Sequence, residues 1–167
     1  VPSPCPPGTY QPYKRQVQCQ LCPLGFWCPH PRMTEPTVCR RGWMCDELGL
    51  TVPYKKCPRG FICEEGVATK IARQTLIMDK RKPLPCPAGL HCFEQTQTQN
   101  PKPNNYSTPQ ACYQGFFCPQ GSGDPYGAGA CPLGRYCPTP RHTGIVCPER
   151  YMCGPYPANT EPIPCPE

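Results

Sequence analysis

Large apolar side chains in this chain recur at one fixed place in a short motif, and not at helical or strand period along any long stretch. The motif is two cysteines enclosing five residues, with glycine three positions after the first Cys and a bulky side chain next. Phe26, Trp43, Phe61, Leu90, Phe116 and Tyr151 hold the bulky position, and in one copy Arg135 stands there with Tyr136 following. Proline fixes φ near −65° and glycine supplies a left-handed or close-packed backbone position, so the pattern predicts chain reversals and at most short β-hairpins. One stretch departs from it. Residues 64–85 carry Val67, Ala68, Ile71, Ala72, Leu76 and Ile77 loosely on one helical face, with Lys70 and Arg73 between them. Such spacing predicts a short helix or hairpin there, in a surface loop or a partner-docking element.

Seven cysteine pairs share the motif: Cys22/Cys28, Cys39/Cys45, Cys57/Cys63, Cys86/Cys92, Cys112/Cys118, Cys131/Cys137 and Cys147/Cys153. Six place glycine at the third position, at Gly25, Gly42, Gly60, Gly89, Gly115 and Gly134, and the seventh has Arg150. Proline follows the first Cys in five of them. Two partial copies flank the seven. Cys5-Pro6-Pro7-Gly8-Thr9-Tyr10 begins one in which Gln11 stands where the second Cys belongs, and Cys165-Pro166-Glu167 begins another. Self-similarity at this step length is the signature of an array. The expected organisation is cysteine-rich repeats over 1–63, an insertion at 64–85, a fourth full repeat at 86–92, a polar insertion at 93–111, and repeats ending in an incomplete one over 112–167. The expected fold is small and disulfide-rich, an elongated tandem array of short cystine-loop repeats with little regular secondary structure.

Composition strengthens that reading. Of 167 residues, 17 are Cys, 28 Pro and 15 Gly. A cysteine density of about one in ten marks a disulfide scaffold. Leu, Ile, Val and Phe together supply only 24 residues, too few for the packed core of a two-layer enzyme domain. So many thiols would stay reactive in a cytosol, so the expected location is extracellular, secreted or cell-surface. No stretch reaches the roughly 18 to 20 apolar residues of a membrane span. The chain opens with Val1-Pro2-Ser3, from which a removed signal peptide or a cut from a longer chain is expected.

Spacing leaves the pairing open among three schemes. Each five-residue loop can close on itself with Cys5 joined to Cys19, which leaves Cys165. Neighbouring repeats can pair crosswise, which leaves Cys153. The second Cys of each repeat can join the first of the next, which leaves Cys22. Because the last repeat is incomplete, a scheme needing a residue past Glu167 is favoured, and the odd count suggests a longer array or a covalent link to another copy. A closed loop of 10 to 20 residues stabilises by roughly 3 kcal/mol in the chain-entropy model. Disulfides, and not apolar burial, are therefore expected to hold the fold.

Other chemistry is sparse. Asn105-Tyr106-Ser107 is an N-glycosylation sequon in a polar loop, and Asn105 is the expected attachment site. The formal charge of +6 is spread thinly, densest at Arg40-Arg41 and at Lys80-Arg81-Lys82. The latter three residues are the candidate partner-binding cluster, suited to an acidic glycan or neighbour. Cys19-Gln20-Leu21-Cys22 could be half of a zinc site or a redox pair, yet the other cysteines are five residues apart and only His30, His91 and His142 are available. No metal, cofactor, catalytic group or nucleic-acid partner is expected. His91 occupies a slot held elsewhere by Trp27, Phe117 or Tyr136, which marks it as a packing residue.

The segment Cys5-Pro6-Pro7-Gly8-Thr9-Tyr10, continued by Cys19-Gln20-Leu21-Cys22-Pro23-Leu24-Gly25-Phe26, resembles the ephrin-receptor-like cysteine-rich repeat of large surface and secreted proteins, itself similar to tumour-necrosis-factor-receptor modules. The repeats at 112–118 and 131–137 also look like cysteine-rich extracytoplasmic segments of some plant and protist membrane proteins. The resemblance implies an elongated, non-enzymatic ectodomain. The expected function is a structural extracellular segment of a surface assembly such as a fibre, flagellar hair, wall or coat, with copies of itself, other surface proteins or glycans as partners. The alternative is a receptor-type or adhesive ectodomain that binds a protein or an acidic glycan.

Overall fold

The computed structural model describes residues 3–68, 82–141, 143–154 and 160–166. Each repeat starts as a reverse turn. In the second repeat the Phe26 N–H donates to the Pro23 carbonyl at 3.2 Å, and Gly25, third in the turn, has φ +80°. A positive φ at that position is what a type II turn requires, which is why the motif places glycine there. Arg150 takes the same left-handed conformation, φ 65°, in the repeat that lacks glycine.

Each turn except the one at Cys112 releases a strand of two residues. Among the described residues fourteen such strands form seven two-stranded sheets, and there is no helix. The pattern joins neighbouring repeats: the strand after one repeat's glycine pairs antiparallel with the strand before the next repeat's first Cys. In this way β1 (Thr9–Tyr10) pairs with β2 (Gln20–Leu21), β3 (Phe26–Trp27) with β4 (Thr37–Val38), and β5 (Trp43–Met44) with β6 (Lys55–Lys56). After β7 (Phe61–Ile62) and β8 (Leu84–Pro85), the strand β9 (Leu90–His91) pairs with β10 (Gln110–Ala111), β11 (Arg135–Tyr136) with β12 (Ile145–Val146), and β13 (Tyr151–Met152) with β14 (Ile163–Pro164). The repeat at Cys112 contributes only a single bridge, Phe116 to Ala130. The short-hairpin expectation is met. The helix or hairpin expected over 64–85 lies largely outside the described residues.

The chain divides into two compact units, Val1–Cys57 with Cys63–Leu84, and Pro58–Ile62 with Pro85–Glu167. In the first, the core is sulfur and a few side chains: Met44 and Val67 pack on Cys57 and Cys63, while Leu50, Trp27 and Trp43 pack on Cys39 and Cys45. Asp46 is buried there and held by Lys55 Nζ at 2.5 Å, and the Arg40 guanidinium lies 4.7 Å from the Trp27 ring. In the second unit, Cys86, Cys92, Cys118 and Cys137 are fully buried, and Phe116 is buried with the Tyr126 ring edge-on at 5.1 Å.

Eight disulfides close. Seven join the two cysteines of one repeat, the eighth joins Cys5 to Cys19, and Cys165 is an exposed thiol. This is the first of the three schemes open from the sequence. The seven rings within repeats are tighter than the loops of 10 to 20 residues considered above. With a sequence separation of 6 between paired cysteines, each of these rings constrains the unfolded chain by about 2.4 kcal/mol in the chain-entropy model.

Candidate functional site

The chemistry of this chain is that of interlocking, and it begins with backbone groups. The Gly25 N–H donates to the Cys45 carbonyl at 2.9 Å, and the Gly25 carbonyl accepts from the Cys39 N–H at 2.9 Å. Gly8, Gly42, Gly60 and Gly89 make the same two bonds with the cysteines of the repeat that follows each. A second set reaches the loop after the next repeat: Cys28 N–H to Leu50 O, Cys45 N–H to Val67 O and Cys92 N–H to Ser122 O. Gln11, which replaces a cysteine, still donates its N–H to Met33 O, so the backbone of the partial repeat keeps its place without the second sulfur. A repeat is thus completed by its successors, which satisfies polar groups that would otherwise be buried unpaired.

A second left-handed position follows the second Cys by three or four residues in five repeats. Gly49, Gly66 and Gly121 occupy it in three repeats, and Arg32 and Gln95 do so in two others. The Gly49, Gly66 and Gly121 N–H groups donate to Cys22, Cys39 and Cys86 carbonyls. These glycines bear on the motif glycines directly, for a Cβ on Gly25 would lie 2.6 Å from the Gly66 carbonyl oxygen. Sequence reasoning missed this position. The signal was present as a glycine at a fixed offset after the second Cys, but it was diluted by arginine and glutamine.

The residue before the second Cys is buried in three repeats and half-buried, as Trp27, Phe117 and Tyr136, in three others. Met44 is 3 % exposed, Ile62 1 % and His91 4 %, whereas Met152, in the same slot, is 47 % exposed. Its strand partner Ile163 is exposed, as are Leu133, Ile145, Val146 and Tyr151. A Cβ on Gly134 would meet nothing within 4 Å, unlike one on Gly8, Gly25 or Gly60.

His91 is wedged between sulfur and an aromatic ring. Its Nδ1 lies 3.9 Å from Cys112 Sγ, and the Phe93 ring stands edge-on at 4.8 Å. Burial holds its pKa below the ordinary 6.5, partly offset by the charge of Asp124. Its expected packing role matches this setting.

The sequon lies in a locked loop. Pro103 and Asn104 form the corner of a turn closed by the Asn105 N–H on Lys102 O at 3.3 Å, with Asn104 at φ 59°. Asn105 is exposed, and its Oδ1 accepts from the Ser107 N–H at 3.0 Å. Buried Thr108 donates to Asn105 O at 2.8 Å and accepts from the Lys102 N–H at 3.0 Å. Gln110 Nε2 reaches the Lys102 and Asn105 carbonyls, each at 2.8 Å. Neither Thr108 nor Gln110 was legible as a support, because both act on main-chain oxygens, which any sequence carries.

Of the candidate basic cluster, Lys82 is exposed, and Lys80 and Arg81 lie outside the described residues. Among the described residues no three His, Cys, Asp or Glu side chains gather as a metal site, and no helix is long and apolar enough to cross a membrane. Cys19 and Cys22, considered above as a metal or redox pair, belong to two different disulfides.

The partial repeat, its Cys5–Cys19 bridge and the Cys22–Cys28 ring that follows form a unit with a known counterpart. Residues 3–39 match the family model described as tyrosine-protein kinase ephrin type A/B receptor-like. No curated protein matches the chain. The ephrin-receptor-like segment carries the same ladder and cystine geometry as the repeats beyond residue 39, so the chain is a tandem of cysteine-rich repeats. Disulfides at this density suit an oxidising, extracellular setting.

Proposed function

We propose that this chain is a structural, non-enzymatic extracellular segment of a surface assembly, in which repeats stack on repeats and copies meet through the same kind of contact. The observation that carries the reading is the main-chain ladder by which each repeat binds its successors, together with the exposed apolar side chains of the strand partners Met152 and Ile163. The occupant that fits is a cysteine-rich repeat of another copy, because repeats of this chain already bind one another through main-chain bonds and apolar side chains.

Sedimentation of the oxidised chain over a concentration series tests this. Self-association is expected, and Met152→Asp is expected to weaken it without loosening the buried cystines, which thiol titration of the folded protein checks. A chain that stays monomeric, or associates equally well with Asp at 152, overturns the assembly reading. A receptor-type ectodomain is the second reading, favoured by the ephrin-receptor-like match over residues 3–39, and monomeric behaviour turns the weight to it.

A further inference from the structure

The insertion at 93–111 does more than lengthen a loop. Beside the sequon it forms a cleft of about 480 Å³ lined by Leu90, Pro101, Pro103, Pro109 and Ala111, with Lys102 and Gln110 on its polar side. That volume falls within the range of small-ligand sites, ~300–1,000 Å³. Its walls are prolines and two aliphatic side chains, apolar and stiff, so binding there costs little ordering of the protein. Gln110 and Thr108 fix the wall by holding the carbonyls of Lys102 and Asn105, as described above. The cleft's rim includes Asn104, whose neighbour Asn105 is exposed. Adjacent Cα atoms are ~3.8 Å apart, so a group attached to Asn105 starts within reach of that rim.

We infer that Asn105 is N-glycosylated and that the first sugar of its glycan lies in this cleft, its apolar face on the proline walls and its hydroxyls toward Lys102 and solvent. The attachment is a transfer from an N-acetylglucosamine-headed oligosaccharide on a polyprenyl diphosphate. The Asn105 amide nitrogen forms a bond to the anomeric carbon, the bond from that carbon to the diphosphate oxygen breaks, the diphosphate leaves with the electron pair, and one amide proton passes to a base of the transferring enzyme. The Asx-type bond from the Ser107 N–H to Oδ1 engages the oxygen and leaves the transfer to the nitrogen. The sugar then covers apolar proline and leucine surface that water otherwise wets. Tyr106, 5.4 Å from Phe93 and edge-on to it, is held by that contact.

The inference rests on the extracellular location in the proposed function, and the experiment separates the two. The full chain is expressed through a eukaryotic secretory pathway and recovered from the medium. Peptide mass spectrometry is expected to find an N-acetylhexosamine-based glycan on Asn105, lost in Ser107→Ala. In isotope-labelled glycoprotein, nuclear Overhauser contacts are expected between the first sugar and the Leu90 methyls or the Pro101 and Pro109 rings. Ala111→Tyr fills the cleft, so it is expected to abolish those contacts while leaving the glycan attached. Native endoglycosidase release is expected to be several-fold faster from Ala111→Tyr than from the parent chain. Secreted protein unmodified at Asn105 overturns the site. A glycan without contacts to the cleft, or contacts unchanged by Ala111→Tyr, overturns its seating. Failure of the chain to be secreted while its thiols remain free overturns the extracellular reading itself.

Discussion

At the scale of single residues, this chain spends its unusual positions on backbone geometry. Arg150, Arg32 and Gln95 sit at positive φ where sibling repeats use glycine, and each accepts a strain of ~1–2 kcal/mol that glycine avoids. His91 carries a different consequence. Burial lowers its folded pKa below 6.5, so in the window below that value the unfolded chain binds more protons than the folded one. Stability is therefore expected to fall as pH drops through 6.5 and to level off once the buried ring also protonates. His91→Phe, which puts a ring of the kind found at Phe117 in the same slot, is expected to flatten this dependence. Thermal midpoints measured at pH 7.5 and 5 check it, and equal slopes in both proteins would remove His91 from the account.

At the scale of the element, the unit is a type II turn, a two-residue strand and a cystine ring, and glycine serves it in two ways. Positive φ alone explains Gly134, whereas Gly60 also lies where a Cβ would strike the Gly121 carbonyl oxygen. Gly134→Ala is expected to cost about 1–2 kcal/mol, the backbone penalty by itself. Gly60→Ala carries the same penalty plus the clash and is expected to cost clearly more. Hydrogen exchange locates the damage: protection should fall at Cys86, Cys92 and Gly121, whose amides belong to that contact, and persist at Cys22 and Cys39. Equal costs at the two glycines would show that the close approach carries no weight. Nearest-neighbour coupling is what a repeat array leads one to expect.

At the scale of the whole molecule, sulfur does what apolar side chains do in a larger protein. Ten cysteines are fully buried, while aliphatic and aromatic side chains such as Val17, Leu48, Tyr54 and Leu133 stand exposed. Two-residue strands supply few hydrogen bonds each and cannot offset the entropy of ordering the chain. Excess dithiothreitol at 25 °C is therefore expected to abolish the ordered amide pattern of the native protein, followed by amide exchange or near-ultraviolet circular dichroism. Retention of that pattern in the reduced chain would refute the cystine account.

The repeat, its turn glycine, the disulfide character and the sequon were legible in the amino-acid order, because each is a local rule of spacing or φ. The ephrin-receptor-like likeness over 3–39 was legible for the same reason. The pairing of sulfurs was not, since several schemes satisfy the same spacing and only the distances between chain segments, 5.7 to 6.5 Å between paired Cα atoms, select one. The second glycine set and the locked sequon loop with its cleft were also decided by the tertiary structure. The loop depends on which main-chain oxygens Thr108 and Gln110 reach, and the glycine set on closeness between residues 40 or 60 positions apart, a property of the fold and not of the order.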